Sequence, residues 1–255
     1  MRSFRDGFNK PKIIRNKEQL FPRSFANGFD RPIEKNNLRI MSIPFTSLYW
    51  ADRISGTNGD SIPIWKDSKG VYDAISISPT EAMLTKNISA INGHAAITFD
   101  GTQAYQNALI FVGQPRTVVV VFNVTNFSRF HYITDSAETT YRNLIGWRDS
   151  SPDYVVISSD GPNSISYNKA LSSTYIMLTA VFNGSSSKIY ENGVLKVTNN
   201  AGSNAMHGIT LGMSFGYSTT NSMIGNLALC GIANSELTGS DLSRMHQIIM
   251  GYYGL

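Results

Sequence analysis

The chain has 255 residues, of which 42% are hydrophobic and 16% are charged, and its formal net charge is +4. This composition supplies one sizeable core and excludes a globally disordered chain. The sequence has no apolar run of the roughly 18 residues that a membrane helix needs, and its single cysteine excludes an internal disulfide. The first residues lack the apolar centre of a signal peptide, which predicts synthesis in a cytoplasm without secretion.

The positive charge is concentrated at the N-terminus. Residues 1–42 hold ten Lys and Arg against four Asp and Glu, a balance of +6, whereas the remaining residues carry −2. A shift of this size marks a change in the kind of segment. We therefore predict two parts: a basic, Phe-rich extended arm over residues 1–42 and a folded domain over residues 43–255.

The arm contains one short peptide twice. RSFRDGF at residues 2–8 returns as RSFANGF at residues 23–29. In each copy an Asp-Gly or Asn-Gly pair favours a turn, which would bring two Phe rings together beside an Arg. Two rings suit an apolar pocket, and a guanidinium suits a carboxylate or a phosphate. The predicted partner-docking residues are Arg2, Phe4, Phe8, Arg23, Phe25 and Phe29.

The repeat leaves alternatives open. Twenty-one residues of extended chain span at most roughly 70 Å, so the copies could dock on two equivalent sites of a repetitive partner protein. The Phe pairs could instead pack on the protein's own domain. A basic arm with aromatic residues could also contact nucleic acid, although its Lys and Arg are dispersed, so we do not expect a nucleic-acid partner.

The rest of the chain alternates β-rich runs with turn residues and has one helical pattern. Asn192-Gly193 joins two short alternating strands, a strong hairpin signal. Leu242, Met245, Ile248 and Ile249 recur at helical spacing near 239–250. Many strands with one short C-terminal helix predict an all-β sandwich or jelly roll. The predicted strands lie at 95–99, 117–124, 143–147, 154–158, 175–182, 187–197, 208–212 and 223–233.

Five short motifs follow one another in a recognisable order. They are Trp65/Asp67, Phe99/Asp100/Gly101, Asn192/Gly193, Leu237/Thr238 and Tyr253/Gly254. Their order and spacing resemble concanavalin A-like, laminin-G-like jelly-roll domains of the type found in bacteriophage structural proteins. The resemblance covers about residues 48–255. It implies a concanavalin A-like antiparallel β-sandwich, and it implies glycan or protein binding.

Catalytic patterns are missing from the sequence. Glycosidases need two carboxylates at a fixed separation, and related glucanases place them along one strand, but the six glutamates here are isolated. The chain also lacks a P-loop, a G-x-S-x-G motif and zinc-ligand spacing. We predict that the protein is not an enzyme.

Two sets of loop residues are candidates for binding. Trp147 and Tyr72 lie in or beside turn-like regions and could stack on a sugar ring. Asp149, Asp153 and Asp160 follow strand ends and could hold Ca²⁺, or they are solvated turn residues. Trp65, as part of the opening motif, is expected in the core. Ca²⁺ is the one cofactor that we consider.

These observations predict a non-enzymatic virion accessory protein of a bacteriophage, for decoration or attachment. Its arm would dock on a capsid or tail structural protein of the same virion, and the lectin-like sandwich would be displayed outward. The alternative is a carbohydrate-binding module for host adhesion, with a host surface glycan as partner. A glycan hydrolase is a third and weaker alternative.

Overall fold

A computed structural model describes residues 39–77, 84–148, 153–160, 162–170, 172–216 and 219–255. The described chain contains one long helix, α1 (Gly239–Tyr253), and seventeen strands. Short 3₁₀ turns lie at Ala51–Arg53, Gly184–Ser186 and Thr219–Asn221. The strands are β1 (Ser47–Trp50), β2 (Ser61–Ile62), β3 (Ile64–Trp65), β4 (Ala74–Ile77), β5 (Leu84–Ile91), β6 (His94–Asp100), β7 (Ala104–Val112), β8 (Arg116–Val124), β9 (His131–Asp135), β10 (Leu144–Arg148), β11 (Tyr154–Ser158), β12 (Ile165–Asn168), β13 (Ile176–Phe182), β14 (Ser187–Glu191), β15 (Val194–Asn199), β16 (Met206–Leu211) and β17 (Ile224–Ala233).

The strands form two antiparallel sheets that pack face to face. The nine-stranded sheet has the order β15-β14-β13-β8-β17-β6-β5-β2. Its ninth strand, β1, lies outside this linear order and pairs with β17. The eight-stranded sheet has the order β12-β11-β10-β9-β16-β7-β4-β3. Sequence neighbours are often not sheet neighbours, as expected of a jelly roll. The predicted all-β sandwich with one C-terminal helix is confirmed.

Strand β8 shows how the sequence builds the core. All nine of its residues are buried. Val118, Val120 and Phe122 face the core between the sheets, whereas Val119 and Val121 face a second apolar cluster on the other side of the nine-stranded sheet. A strand that is buried on both faces has a continuously apolar sequence. This accounts for the unusual run TVVVVFNV.

Helix α1 and residues 39–46 cover the back of the nine-stranded sheet. Leu242, Met245 and Ile249 of the helix are buried in the second cluster together with Ile40. Because Ile40 is fully buried, the predicted boundary after residue 42 falls inside a packed segment. The packed segment therefore includes Ile40, and residues 1–38 lie outside the described residues.

Burial of Trp65 and the hydrogen bonds of Asp67 explain the opening Trp-x-Asp motif. Trp65 is fully buried, and its ring packs edge-on against Tyr49 and Tyr105. The Asp67 carboxylate accepts hydrogen bonds from the backbone N–H groups of Leu48 at 2.8 Å and Tyr72 at 3.1 Å. Two short segments of chain are thus held together by one buried carboxylate. The expected core position of Trp65 agrees with this packing.

The predicted Asn-Gly hairpin and the end of the helix both use positive φ angles. Asn192 and Gly193 have φ of 45° and 78°, the left-handed geometry of a tight turn between β14 and β15. The Asn192 side chain also accepts a hydrogen bond from the Met177 N–H at 2.8 Å, which fixes the hairpin against β13. Gly254 ends α1 with φ of 69°, a left-handed cap.

Candidate sugar-binding face

The two outer faces of the sandwich differ. Helix α1 covers the nine-stranded sheet, whereas no described helix packs on the outer face of the eight-stranded sheet. Pairing identifies the side chains of this open face, because paired residues of antiparallel strands point the same way. Ile75 pairs with Gln106, Gln106 with Thr210, and Thr210 with Asp135. Since Ile75 is 55% exposed, this row lies on the outer face, and Thr210 and Asp135 at its other end are fully buried there.

Aromatic and arginine side chains contact one another in a row on this face. The Phe130 and Tyr132 rings lie 4.6 Å apart, edge to face. The Arg148 guanidinium lies 6.0 Å from the Phe130 ring, and the Arg142 guanidinium lies 5.9 Å from the Tyr132 ring and 4.8 Å from the Phe215 ring. These distances fall in the range of cation–π contacts. We call Phe130, Tyr132, Arg142, Arg148 and Phe215 the aromatic–arginine ladder.

Gly146 makes room for the ladder. It pairs with Tyr132, and its neighbours Ile145 and Trp147 point into the core, so position 146 faces outward. A Cβ atom at this position would lie 2.6 Å from the Phe130 ring. The ring therefore rests directly on the backbone of β10, where any larger residue would push it away.

A buried carboxylate holds Arg142 in place. The Asp135 side chain is fully buried and accepts hydrogen bonds from Arg142 Nε at 2.8 Å and Nη2 at 2.7 Å. Burial raises the pKa of the Asp135 carboxyl, and the Arg142 guanidinium opposes that rise. Burial lowers the pKa of Arg142, but the hydrogen bond and charge of Asp135, together with smaller contributions from Tyr132, outweigh this effect, so the pKa lies above its ordinary value. Arg142 is a charged, oriented donor at neutral pH.

A second exposed patch lies further along the same face, on β7 and the strand beside it. Leu109 and Phe111 are 80% and 62% exposed. The His207 ring packs edge-on against Phe111 and Tyr141, and its Nδ1 lies 2.9 Å from a carboxylate oxygen of Glu138. Exposed apolar groups beside polar ones are a common mark of a binding surface.

The structure corrects the expectation that Trp147 stacks on a sugar. Trp147 points between the sheets and is fully buried, with its ring edge-on to Phe122. Its indole N–H donates a hydrogen bond to the Lys169 carbonyl at 3.1 Å. Neither ring face is accessible to a sugar, because the side chain belongs to the core.

Tyr72, the second candidate for sugar stacking, lies elsewhere and is only partly exposed. Its side chain packs against the core from the loop before β4. Its N–H donates to Asp67, and its carbonyl accepts the Tyr49 hydroxyl at 2.6 Å. The structure therefore does not bring Tyr72 and Trp147 together into one site.

The described candidates for Ca²⁺ binding do not form a cluster. Asp160 accepts two hydrogen bonds from Asn163, one from its N–H at 2.9 Å and one from its side-chain amide at 2.8 Å, as expected of a turn residue. The Asp153 carbonyl accepts the Lys169 N–H at 2.9 Å. Asp149 lies outside the described residues. Within the described chain, no group of three His, Cys, Asp or Glu side chains could hold a metal ion.

All six predicted docking residues of the arm precede the described residues. The ladder, in turn, was not found by sequence reasoning. Its aromatic residues had one local signal, the spacing of Phe130 and Tyr132 on one side of a strand, but Phe215 comes from a loop far along the chain. Within the described residues, no helix is long and apolar enough to cross a membrane.

Neither a family model nor a curated protein matches the sequence. Solved structures match the fold. Domain 4 of AbnA, a GH43 extracellular arabinanase from Geobacillus stearothermophilus in complex with arabinotriose, has a TM-score of 0.58 at 12% identity, over 80% of this chain and 97% of that one.

Two larger enzymes contain a similar unit. A GH54 α-L-arabinofuranosidase has a TM-score of 0.59 at 10% identity, over 76% of this chain and 51% of that one. The Trypanosoma rangeli sialidase has a TM-score of 0.52 at 9% identity, over 86% and 38%. The chain thus spans about half or less of these two proteins. At such identities the likeness shows the fold alone, a lectin-like jelly-roll sandwich.

Proposed function

We propose that the protein is a non-enzymatic carbohydrate-binding protein that holds sugar rings on the outer face of its eight-stranded sheet. The observation that carries this proposal is the aromatic–arginine ladder on the one sheet face that no described helix covers. Aromatic faces offer an apolar platform, and Arg and Tyr donors offer the few oriented polar contacts that binding sites use. The likeness in fold to a domain solved with arabinotriose is compatible with this function.

The charges on this face favour binding over hydrolysis. A glycosidase needs an acid and a second carboxylate that both reach the scissile bond. Here the Asp135 carboxylate is fully buried against Arg142, and Glu138 lies against His207. Both carboxylates already have basic partners, which suits a binding surface better than a pair of catalytic acids.

A glycan array with the full chain tests the proposal. We expect binding by the wild type, loss of binding in Tyr132→Ser, and binding close to wild type in the control Leu195→Ser. Leu195 is a 50% exposed apolar residue of β15, which belongs to the nine-stranded sheet and not to the proposed binding face. If a folded wild-type protein binds no glycan on a broad array, the proposal is wrong.

Attachment to a bacteriophage capsid or tail is the second candidate function. It rests on the duplicated Arg-Phe peptide and the charge of residues 1–42, and it stays a prediction. The two functions are compatible, because residues 39–46 pack on the back of the nine-stranded sheet, opposite the ladder. Removing residues 1–38 should abolish co-purification with particles and leave glycan binding intact; full occupancy of particles by the truncated protein would contradict the attachment role.

A further inference from the structure

We propose that the ladder selects sugars that carry a carboxylate group, and that Arg142 is the residue that binds this group. The inference rests on the proposed function, since it names the class of glycan for the same site. It comes from the way Arg142 is held, from the charge of the ladder and from the position of the aromatic rings.

Arg142 presents a second edge of its guanidinium beyond the one that Asp135 takes, and the Tyr132 side chain also hydrogen-bonds to this guanidinium. Asp135 takes the edge formed by Nε and Nη2. A guanidinium carries five N–H donors in a rigid fork, so the edge formed by Nη1 and Nη2 can bind a second carboxylate in the same bidentate manner. The Arg142 side chain is 13% exposed. This exposure leaves the side chain within reach of a ligand on the sheet surface.

The orientation of Arg142 is fixed before any ligand arrives. Its guanidinium lies 4.8 Å from the Phe215 ring. Asp135 is itself held by the Ser136 N–H at 2.9 Å. An arginine that is already stacked and hydrogen-bonded loses little side-chain freedom on binding, which favours affinity and selects for planar anions.

The charge of the site is opposite to that of the folded domain. Arg142, Arg148 and Asp135 together carry a formal +1, whereas the chain beyond residue 42 carries −2. Local positive charge on a domain of opposite net charge attracts anionic ligands. A neutral sugar would gain nothing from this arrangement beyond ordinary hydrogen bonds.

The aromatic rings of the ladder offer a platform for the sugar ring that carries the carboxylate. Phe130 and Tyr132 are partly exposed neighbours of Arg142 on the open face. A pyranose ring that lies on Tyr132 would bring a carboxylate at its C5 or C1 position beside the Arg142 guanidinium, because the two protein groups are 5.9 Å apart. Uronic and sialic acids both have this combination of a ring and a carboxylate.

The experiment compares a matched pair of ligands on the full chain by isothermal titration calorimetry. One ligand is a uronate-containing oligosaccharide, and the other is the same oligosaccharide with its carboxylates reduced to alcohols. A sialylated glycan and its desialylated form make a second pair that separates the two sources of the carboxylate. We expect the acidic member of one pair to bind at least about tenfold more tightly, an advantage that 500 mM NaCl reduces.

Variants assign this selectivity to Arg142. Arg142→Lys keeps the charge but removes the fork, and we expect it to lose most of the preference for the acidic ligand. The double variant Asp135→Asn/Arg142→Gln avoids leaving a buried carboxylate alone, so it tests the same point should the single variant unfold. Arg53→Gln, an exposed arginine outside the ladder, is the control and should keep the preference.

Each outcome decides between the claims. Equal or tighter binding of the neutral ligands would overturn the selectivity for carboxylates and leave the proposed function standing. Unchanged selectivity in both Arg142 variants would overturn the role of this residue. If neither member of either pair binds to the folded protein, and the glycan array is also negative, the proposed function fails together with the inference.

Discussion

Stability of the protein should depend on the protonation of His246. This residue lies on α1 and is 6% exposed, and its Nε2 lies 3.1 Å from the Thr179 hydroxyl. Burial lowers the pKa of His246 from its ordinary value of 6.5 to about 4. The unfolded chain therefore takes up a proton near pH 6.5, whereas the folded protein takes it up only near pH 4.

The sign and size of the effect follow from this difference. Between these two pH values the unfolded state binds more protons, so the free energy of unfolding falls as the pH falls. The full loss, reached below pH 4, is about 3 kcal/mol for a pKa lowered from 6.5 to about 4. Between pH 7 and pH 5 the loss is about 2 kcal/mol.

Urea unfolding followed by tryptophan fluorescence measures this loss directly, because Trp50, Trp65 and Trp147 are all fully buried. The variant His246→Gln should lose about 2 kcal/mol less than the wild type between pH 7 and pH 5. Gln247→Ala, at the exposed neighbouring position of α1, is the control, since it removes no titratable group, and it should keep the wild-type dependence. If the free energy of unfolding falls equally with pH in the wild type and in His246→Gln, then protonation of His246 does not destabilise the fold.

Three further substitutions test the packing of the fold and the site. Gly146→Ala should destabilise the protein by about 1–3 kcal/mol and weaken glycan binding, because the new methyl group displaces the Phe130 ring. The control is Gly251→Ala, in the last turn of α1 with open space around it. It should raise stability by about 0.5–1 kcal/mol. Asp67→Asn should cost about 1–3 kcal/mol, measured by thermal unfolding, because it removes a charged acceptor from several backbone N–H groups. Ile40→Ala should cost about 2–4 kcal/mol, because Ile40 is fully buried; a change below 0.5 kcal/mol would show that residues 39–46 do not stabilise the domain.

The fold could be predicted because its signals are local. The apolar run of β8 predicts a strand that is buried on both faces. The Asn192-Gly193 turn specifies a hairpin whatever the rest of the fold. The helix at the C-terminus likewise shows its apolar spacing and its terminal glycine within one short segment. Each of these features is decided by residues that are close in sequence.

The site could not be predicted because its signals are not local. The sequence places Trp147 beside a loop, but Gly146 takes the outward position in β10, so the Trp147 side chain points into the core. A shift of one residue exchanges the two faces of a strand, and nothing near Trp147 in the sequence fixes which face it takes. The ladder also needs Phe215, which reaches Arg142 only through the pairing of β9 with β16.

Hydrogen–deuterium exchange with and without the tightest-binding glycan of the array shows where on the protein the sugar binds. We predict slower exchange in residues 130–135, 142–148 and 209–216, which form the ladder and the strands beneath it. Exchange in α1 and in the β14–β15 hairpin, on the opposite sheet, should stay unchanged. Protection confined to the helix and the hairpin, with none along β9 and β10, would contradict the claim that the open face of the eight-stranded sheet binds sugar.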